Sequence, residues 1–137
     1  MKLENQSDFY LLNKPHSWTS QDLCTVFKKK YKFKKVGHSG TLDPNAEGLM
    51  LIATNKYTKL FDFIDNTHKT YEFEALFGFE SASFDTDSEL VEIETIDLEN
   101  KLDDLNKGIS ELTGNIKQVP PIYSAVKVKG KRLYKYA

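Results

Sequence analysis

Residues 37–53 read Gly37-His38-Ser39-Gly40-Thr41-Leu42-Asp43-Pro44-Asn45-Ala46-Glu47-Gly48-Leu49-Met50-Leu51-Ile52-Ala53. The stretch Gly37–Pro44 holds two glycines, a serine, a threonine and Asp-Pro, the composition of a loop. The stretch Gly48–Ala53 is a short apolar run bounded by turn residues, which predicts a buried strand. A polar, glycine-rich loop therefore feeds directly into the core, and the elements on either side decide which fold contains it.

Upstream, Phe9–Leu12 reads as a short buried strand that Asn13-Lys14-Pro15 ends. Thr19-Ser20-Gln21-Asp22 is a capping-box pattern, and Leu23, Phe27 and Tyr31 follow at four-residue intervals, so a helix opens there. Lys28, Lys29 and Lys30 fall near its C-terminus, where cations suit the helix dipole. Downstream, Asn55–Ile64 carries Tyr57, Leu60, Phe61 and Ile64 at helical spacing. Thr70–Phe77 alternates, with Tyr71, Phe73, Ala75 and Phe77 on one face and Glu72 and Glu74 on the other, and reads as a strand. Gly78–Ser88 is polar loop, and Glu89–Glu94 is a second alternating strand. Asp97 caps a helix bearing Leu98, Leu102, Leu105, Ile109 and Leu112, which Gly114 ends. Pro120-Pro121 breaks the chain, Tyr123–Val128 is a strand, and Lys131–Tyr136 begins another helix as the sequence stops. No repeat or low-complexity tract interrupts the pattern. The fold class expected is α+β, with a mixed, largely antiparallel sheet and flanking helices. The uncapped last helix reads as a cut in a longer chain.

Composition narrows the classes. With 137 residues, 39% hydrophobic, 28% charged and 12% aromatic, the chain has the makings of one globular domain. That many aromatics argue against disorder. The longest apolar stretch, Gly48–Ala53, is far short of the roughly 20 residues a membrane span requires. Met1-Lys2-Leu3-Glu4-Asn5 has no apolar run of the kind a secretory signal carries. The single cysteine, Cys24, makes no intrachain disulfide and no cysteine-built zinc site, and fits a reducing cytoplasm. The net charge of −1 hides segregation. Lys28–Lys35 contains six lysines and no acid, Leu112–Ala137 six basic residues and no acid, and Glu72–Asp104 twelve acids against Lys101. Basic clusters of this kind are footprints for polyanions, and equally the ordinary solvated faces of helices.

The chemistry concentrates in Gly37–Pro44, which brings a His, a Ser, a Thr and an Asp into one turn. Catalytic groups gather on loops held by a rigid scaffold. Pro44 restricts Asp43 to extended backbone and so fixes where its carboxylate points. Read blandly, Asp43-Pro44 starts a turn and His38 is a satisfied loop residue. His16, His38 and His68 lack metal-ligand spacing, and no nucleotide-binding glycine motif is present, so neither a zinc or iron site nor a nucleotide cofactor is expected. Ser39 beside His38 is a poor nucleophile pair, because adjacent residues rarely place a base on the nucleophile.

With Ala46, Gly48 and Leu49, the segment Gly37–Pro44 closely resembles the signature of the TruB family of tRNA pseudouridine synthases. The resemblance covers nearly the whole chain. Asn13-Lys14-Pro15 with Thr19-Ser20 resembles the family's opening motif. Thr58-Lys59, Lys69 with Tyr71, and Gly78 with Asp85 match later ones. Gln118-Val119-Pro120-Pro121-Ile122-Tyr123-Ser124-Ala125-Val126-Lys127 and Gly130-Lys131-Arg132-Leu133-Tyr134 match a long block. Departures fall in supporting turns: Ser17 and Asn55 where glycine is usual, Tyr57 where alanine is, Ser81 and Ser83 where threonine is common, and Ser88 where glycine is. Family members also run longer than this chain.

The resemblance implies isomerisation of uridine-55 in the T-loop of tRNA to pseudouridine, without cofactor, on a pseudouridine synthase-like fold of which this chain holds an incomplete part. Residues 1–137 would be the N-terminal part of the catalytic domain. The C-terminal remainder, with an active-site arginine and pocket walls, and a PUA-like RNA-binding domain would lie outside it, so that the fragment alone would be inactive. By the same resemblance Asp43 is the catalytic carboxylate, His38 fills the stack the flipped base vacates and Tyr71 packs on the uracil. Lys14, Gly40, Thr41, Leu42 and Asp85 support them. The alternation around Tyr71 is also what a plain core strand looks like. The partner implied is the tRNA T-arm, held through the lysine cluster and the basic tail, with no membrane and no protein partner, as a cytoplasmic monomer. Two rivals stand beside this reading: a non-catalytic RNA-binding module, and a small metabolic enzyme with an anionic substrate.

Overall fold

The capping-box residues do what their spacing demands. The hydroxyl of Thr19 accepts from the Asp22 amide at 3.0 Å, and the Asp22 carboxylate accepts from the Thr19 amide at 3.0 Å and its hydroxyl at 2.6 Å. Two orphan donors of the first turn are thereby satisfied. These bonds also hold the Asp22 carboxyl below its usual range. Helix α1 runs from Ser20 to Tyr31 and ends where Lys32 turns left-handed at φ 58°. That reversal returns Phe33 to the core, where its ring stacks on Phe27 at 5.5 Å and meets Tyr10 at 5.9 Å.

A computed structural model describes residues 3–64, 68–124, 126–133 and 136. The chain divides into two units, Met1–Glu72 and Phe73–Ala137. Of the residues named above, Met1, Lys2, Ala125, Tyr134 and Ala137 lie outside the described set.

In the first unit, β1 (Phe9–Lys14), β2 (Val36–His38) and β3 (Gly48–Thr54) form an antiparallel sheet in the order β1-β3-β2. Tyr10 pairs with Ile52, Leu12 with Met50 and Lys14 with Gly48, while His38 pairs with Ile52 from the other side. Directly opposed residues share a face. Tyr10, Leu12, Met50, Ile52, Val36 and His38 therefore occupy one side of the sheet. On that side Leu23 and Cys24 of α1 join Met50 and Ile52 in the buried core, with Trp18, Phe27 and Leu42 packed against it. On the opposite side Phe9 packs against Tyr57 at 5.2 Å and Phe61 at 6.2 Å.

Several expected elements come out differently. Strand β1 continues through Asn13 and Lys14, because Lys14 still pairs with Gly48. Gly37 and His38, expected in the loop, complete β2. The helix expected over Asn55–Ile64 is two 3-10 turns, Asn55–Lys59 and Phe61–Phe63, and its amides reach back only three residues. Asn55 is the physical reason. It sits at φ 48° with its amide engaged by Lys35, Glu4 and Gln6, which anchors the turn to the sheet edge. Thr70–Phe77 forms no strand among the described residues, and Phe73 is 82% exposed. Alternation supplies a face, but a strand also requires a neighbouring backbone to bond.

In the second unit, β4 (Phe79–Glu80) pairs with β5 (Val91–Glu92), which shortens the strand expected over Glu89–Glu94. Gly78 stands at φ 86°, where an added Cβ would collide with the Glu94 carbonyl. Helix α2 covers Leu102–Glu111, preceded by a turn in which Asp97 accepts from the Glu99 amide at 3.1 Å. The strand expected over Tyr123–Val128 is reduced to β6 (Lys127–Val128), and it pairs with β7 (Lys131–Arg132). Lys131 thus opens a strand where a helix was expected. Lys129 and Gly130 both have positive φ, the geometry of the two-residue turns that close hairpins. None of the unit's described residues is buried. Helices and antiparallel sheets together make the fold α+β.

Candidate active site

The loop between β2 and β3 is held along most of its length. The amide of Ser39 donates to the Leu51 carbonyl at 3.0 Å, adding one bond beyond the β2–β3 pairing. At the end of β2, His38 Nδ1 lies 2.6 Å from the Gly40 carbonyl. A carbonyl only accepts, so Nδ1 carries the proton and the ring orientation is set.

Next comes Leu42, whose side chain packs against the core and whose backbone is bound by the buried Ser20. The Ser20 hydroxyl donates to the Leu42 carbonyl at 3.1 Å and accepts from the Leu42 amide at 2.9 Å. Beyond Asp43, the Pro44 carbonyl accepts from the Ser17 amide at 2.8 Å and from Lys14 Nζ at 3.2 Å. The Asp43 carbonyl itself accepts from the Ala46 amide at 3.1 Å.

Lys14 is wholly buried. Its ammonium has three protons, and three carbonyls receive them: Trp18 at 2.7 Å, Pro15 at 3.1 Å and Pro44. A buried charge is tolerable only when its hydrogen-bonding capacity is met, and here it is met entirely by backbone. The end of β1, the Pro15–Trp18 turn and the Asp43–Pro44 step are thus tied at one point. Both neighbours of Asp43 are fixed to the scaffold, while Asp43 itself is exposed.

Of the residues singled out from the sequence, Lys14, His38, Gly40, Leu42 and Asp43 are gathered on this one loop and its supports. Thr41 lies on it too, exposed. Tyr71 belongs to the same unit, but it is 61% exposed in a segment without regular secondary structure, and no hydrogen bond among the described residues ties it to the loop. Asp85 lies in the second unit. There it anchors a hydroxyl-rich turn: its amide donates to Ser81 Oγ at 3.0 Å, its carbonyl accepts from Ser81 at 2.8 Å and from Ser83 at 3.3 Å, and its carboxylate accepts from the Thr86 amide at 2.7 Å. Ser88, the departure from glycine, bonds Ser83 at 2.7 Å in the same turn.

The sequence reading missed the grip of Ser20 on Leu42. The signal available was a small hydroxyl at the first helical position, one residue past the cap, which needs no hydroxyl for capping. Ser17 also gains meaning here. Its φ of 66° lies in the left-handed region that glycine favours. Asn55, the other departure from glycine, is likewise left-handed.

The six lysines of Lys28–Lys35 are all exposed. At about 1.5 Å per helical residue, Lys30 lies roughly 15 Å along α1 from Ser20 and the loop it holds. Lys30 Nζ stands 5.6 Å from the Tyr31 ring centroid. Among the described residues no group of three His, Cys, Asp or Glu side chains could hold a metal, and no helix is long and apolar enough to cross a membrane.

Residues 28–137 match the family described as TruB family pseudouridylate synthase (N terminal domain). Over 127 residues, 93% of this chain, the sequence is 42% identical to "tRNA pseudouridine synthase B" of Geobacillus thermodenitrificans (strain NG80-2), covering 42% of that protein. It is 41% identical to the protein of the same name from Bacillus subtilis (strain 168), covering 41% of it, and 40% identical to that of Bacillus anthracis, again covering 41%. The chain spans about two-fifths of the length of these relatives. A family match over four-fifths of the chain, with Asp43 and its loop inside it, means that this chain belongs to the TruB family of pseudouridylate synthases.

Proposed function

We propose that the protein containing this chain converts uridine-55 in the T-loop of tRNA to pseudouridine, with Asp43 as the reacting carboxylate. The observation that carries this reading is the contrast at the loop: Leu42 and Pro44 are bound to buried side chains, while the carboxylate between them faces solvent. A group that is rigid in backbone and open in side chain is pre-organised to meet a substrate.

In this reading the N-glycosidic bond breaks, the uracil turns, and its C5 rejoins the ribose. No electron is gained or lost, so the reaction asks for no redox group. A carboxylate can serve as nucleophile toward the ribose or base, or as base on the ribose C2 proton. The base must leave its stack to be reached. His38, with its ring fixed through Gly40, occupies the vacated position, and Tyr71 stacks on the flipped uracil. The Lys28–Lys35 cluster and the basic residues of the tail from residue 112 onward hold phosphates of the T-arm. Asp85 is read, from the family resemblance alone, as a supporting residue of the same reaction. We further read residues 1–137 as the N-terminal part of a catalytic domain, completed by a remainder and a PUA-like domain outside this chain, and inactive alone. The protein is read as a cytoplasmic monomer.

The test is Asp43→Asn in the full-length protein, assayed on unmodified tRNA. Pseudouridine formation is expected to vanish while tRNA affinity stays within a few-fold, because neutralising the carboxylate acts on the transition state more than on binding. Turnover by Asp43→Asn would sink the assignment.

A further inference from the structure

We infer that Ser20 is a positioning residue for the Asp43 carboxylate, acting through both backbone groups of Leu42. The inference rests on the proposed role of Asp43 in pseudouridine formation. Ser20 is only 2% exposed. Its single hydroxyl donates to the Leu42 carbonyl at 3.1 Å and accepts from the Leu42 amide at 2.9 Å. One hydroxyl has one proton and two lone pairs, so it can hold both groups at once. The two bonds fix the peptide planes on either side of Leu42, and the second of those planes ends at the nitrogen of Asp43. Pro44 already confines the backbone of Asp43 from the other side, and Lys14 and Ser17 hold the Pro44 carbonyl.

Ser20 is suited to this task by where it stands. It is the first residue of α1, and Leu23 and Cys24 in the next turn are buried in the core. A reference point on the rigid helix is thereby transmitted across 22 positions of sequence to the residue before Asp43. Thr19 already caps the helix with Asp22, so helix capping does not require the Ser20 hydroxyl. Without it, the side chain of Leu42 would stay in the core, but its peptide groups would be free to rotate, and Asp43 with them. Misplacement of a reacting group by about 1 Å can reduce rate roughly 100-fold.

The experiment uses the full-length protein and unmodified tRNA, with wild type, Ser20→Ala, Ser20→Cys and, as a control on the same helix, Thr25→Ala. Cysteine fills the space of serine but bonds weakly, so it separates hydrogen bonding from packing. Thr25 Oγ1 donates to the Gln21 carbonyl and accepts from the Gln21 side-chain amide, both within α1, and its variant is expected to behave as wild type. For both Ser20 variants the single-turnover rate is expected to fall about 10- to 100-fold. Dissociation constants for tRNA should stay within about twofold, since no contact that binds substrate is removed. If Ser20→Ala does not fold, Ser20→Cys decides. A wild-type rate in Ser20→Cys overturns the inference, because packing alone would then suffice. A loss of tRNA affinity matching the loss of rate overturns it as well. A wild-type protein that forms no pseudouridine defeats the functional reading instead, and is recognised by that arm alone.

Discussion

Lys14 Nζ lies 3.2 Å from the carbonyl oxygen of Pro44, so a buried ammonium at the end of β1 holds the residue that follows Asp43. The same ammonium binds the Trp18 and Pro15 carbonyls. Lys14→Met keeps most of the apolar stem and removes all three bonds. It takes the Lys14 donor from the Trp18 and Pro15 carbonyls, while the Pro44 carbonyl keeps the Ser17 amide, at a cost of about 1–3 kcal/mol. Denaturant unfolding should show this as a lower midpoint with an unchanged slope. A midpoint equal to wild type would mean that water replaces the ammonium at no cost, and that Lys14 does not hold the loop.

Ser17 adopts φ 66° while its amide donates to the Pro44 carbonyl at 2.8 Å. A side chain in that backbone region costs about 1–2 kcal/mol. Glycine removes that cost but loses roughly 0.5–1 kcal/mol through the freedom of the unfolded chain. Its bond to Pro44 is kept, and the lost bond from Ser17 Oγ to His16 is exposed and counts for little. Ser17→Gly should therefore stabilise by about 0.5–1 kcal/mol, read as a higher thermal midpoint. A lower midpoint would show that the turn does not require a left-handed residue there.

What the sequence made legible was local. The capping box at Thr19–Asp22 involves residues three apart, and the bonds form as the pattern demands. The apolar run into β3 likewise marks a core strand, since Met50, Ile52 and Ala53 are buried. What escaped was non-local. Nothing in the neighbourhood of Ser20 announces Leu42, and nothing near Lys14 announces Pro44. The alternation around Tyr71 misled for a related reason, because a strand is decided by the backbone beside it and not by its own pattern. Lys129-Gly130 is a different kind of miss. Its hairpin turn is local, but it shows only in the positive φ of the two residues, and the sequence of Lys131–Tyr136 reads as the start of a helix.

The lysines at Lys28–Lys35 should govern affinity and leave the chemical step alone. They are exposed, and Lys30 stands roughly 15 Å along α1 from Ser20, which holds the Asp43 loop. Cations that displace counterions from phosphates read no base. Replacing Lys28, Lys29 and Lys32 with glutamine should lower the slope of log affinity against log salt by roughly 0.7–0.9 for each lysine in contact. The single-turnover rate at saturating tRNA should not change. An unchanged slope would put this end of α1 away from the RNA, whereas a slower chemical step would tie it to the Asp43 loop after all.

Cys24 gives a pH dependence of known sign. The thiol is buried between α1 and β3, and burial pushes it up to about 11 from an ordinary 9.0. The folded state therefore holds the thiol proton more tightly than the unfolded chain does. Its contribution to stability is complete below the unfolded value and is lost as pH rises from about 9 toward 11. Cys24→Ala should abolish that part of the alkaline decline, and comparing unfolding midpoints of the two proteins across this range isolates it. At pH 8 the native thiol is both covered and protonated, so iodoacetamide should label it only as fast as the fold opens. In denaturant, labelling should be quick. Rapid native labelling at pH 8, together with an alkaline decline that survives Cys24→Ala, would mean that α1 does not seal this face of the sheet.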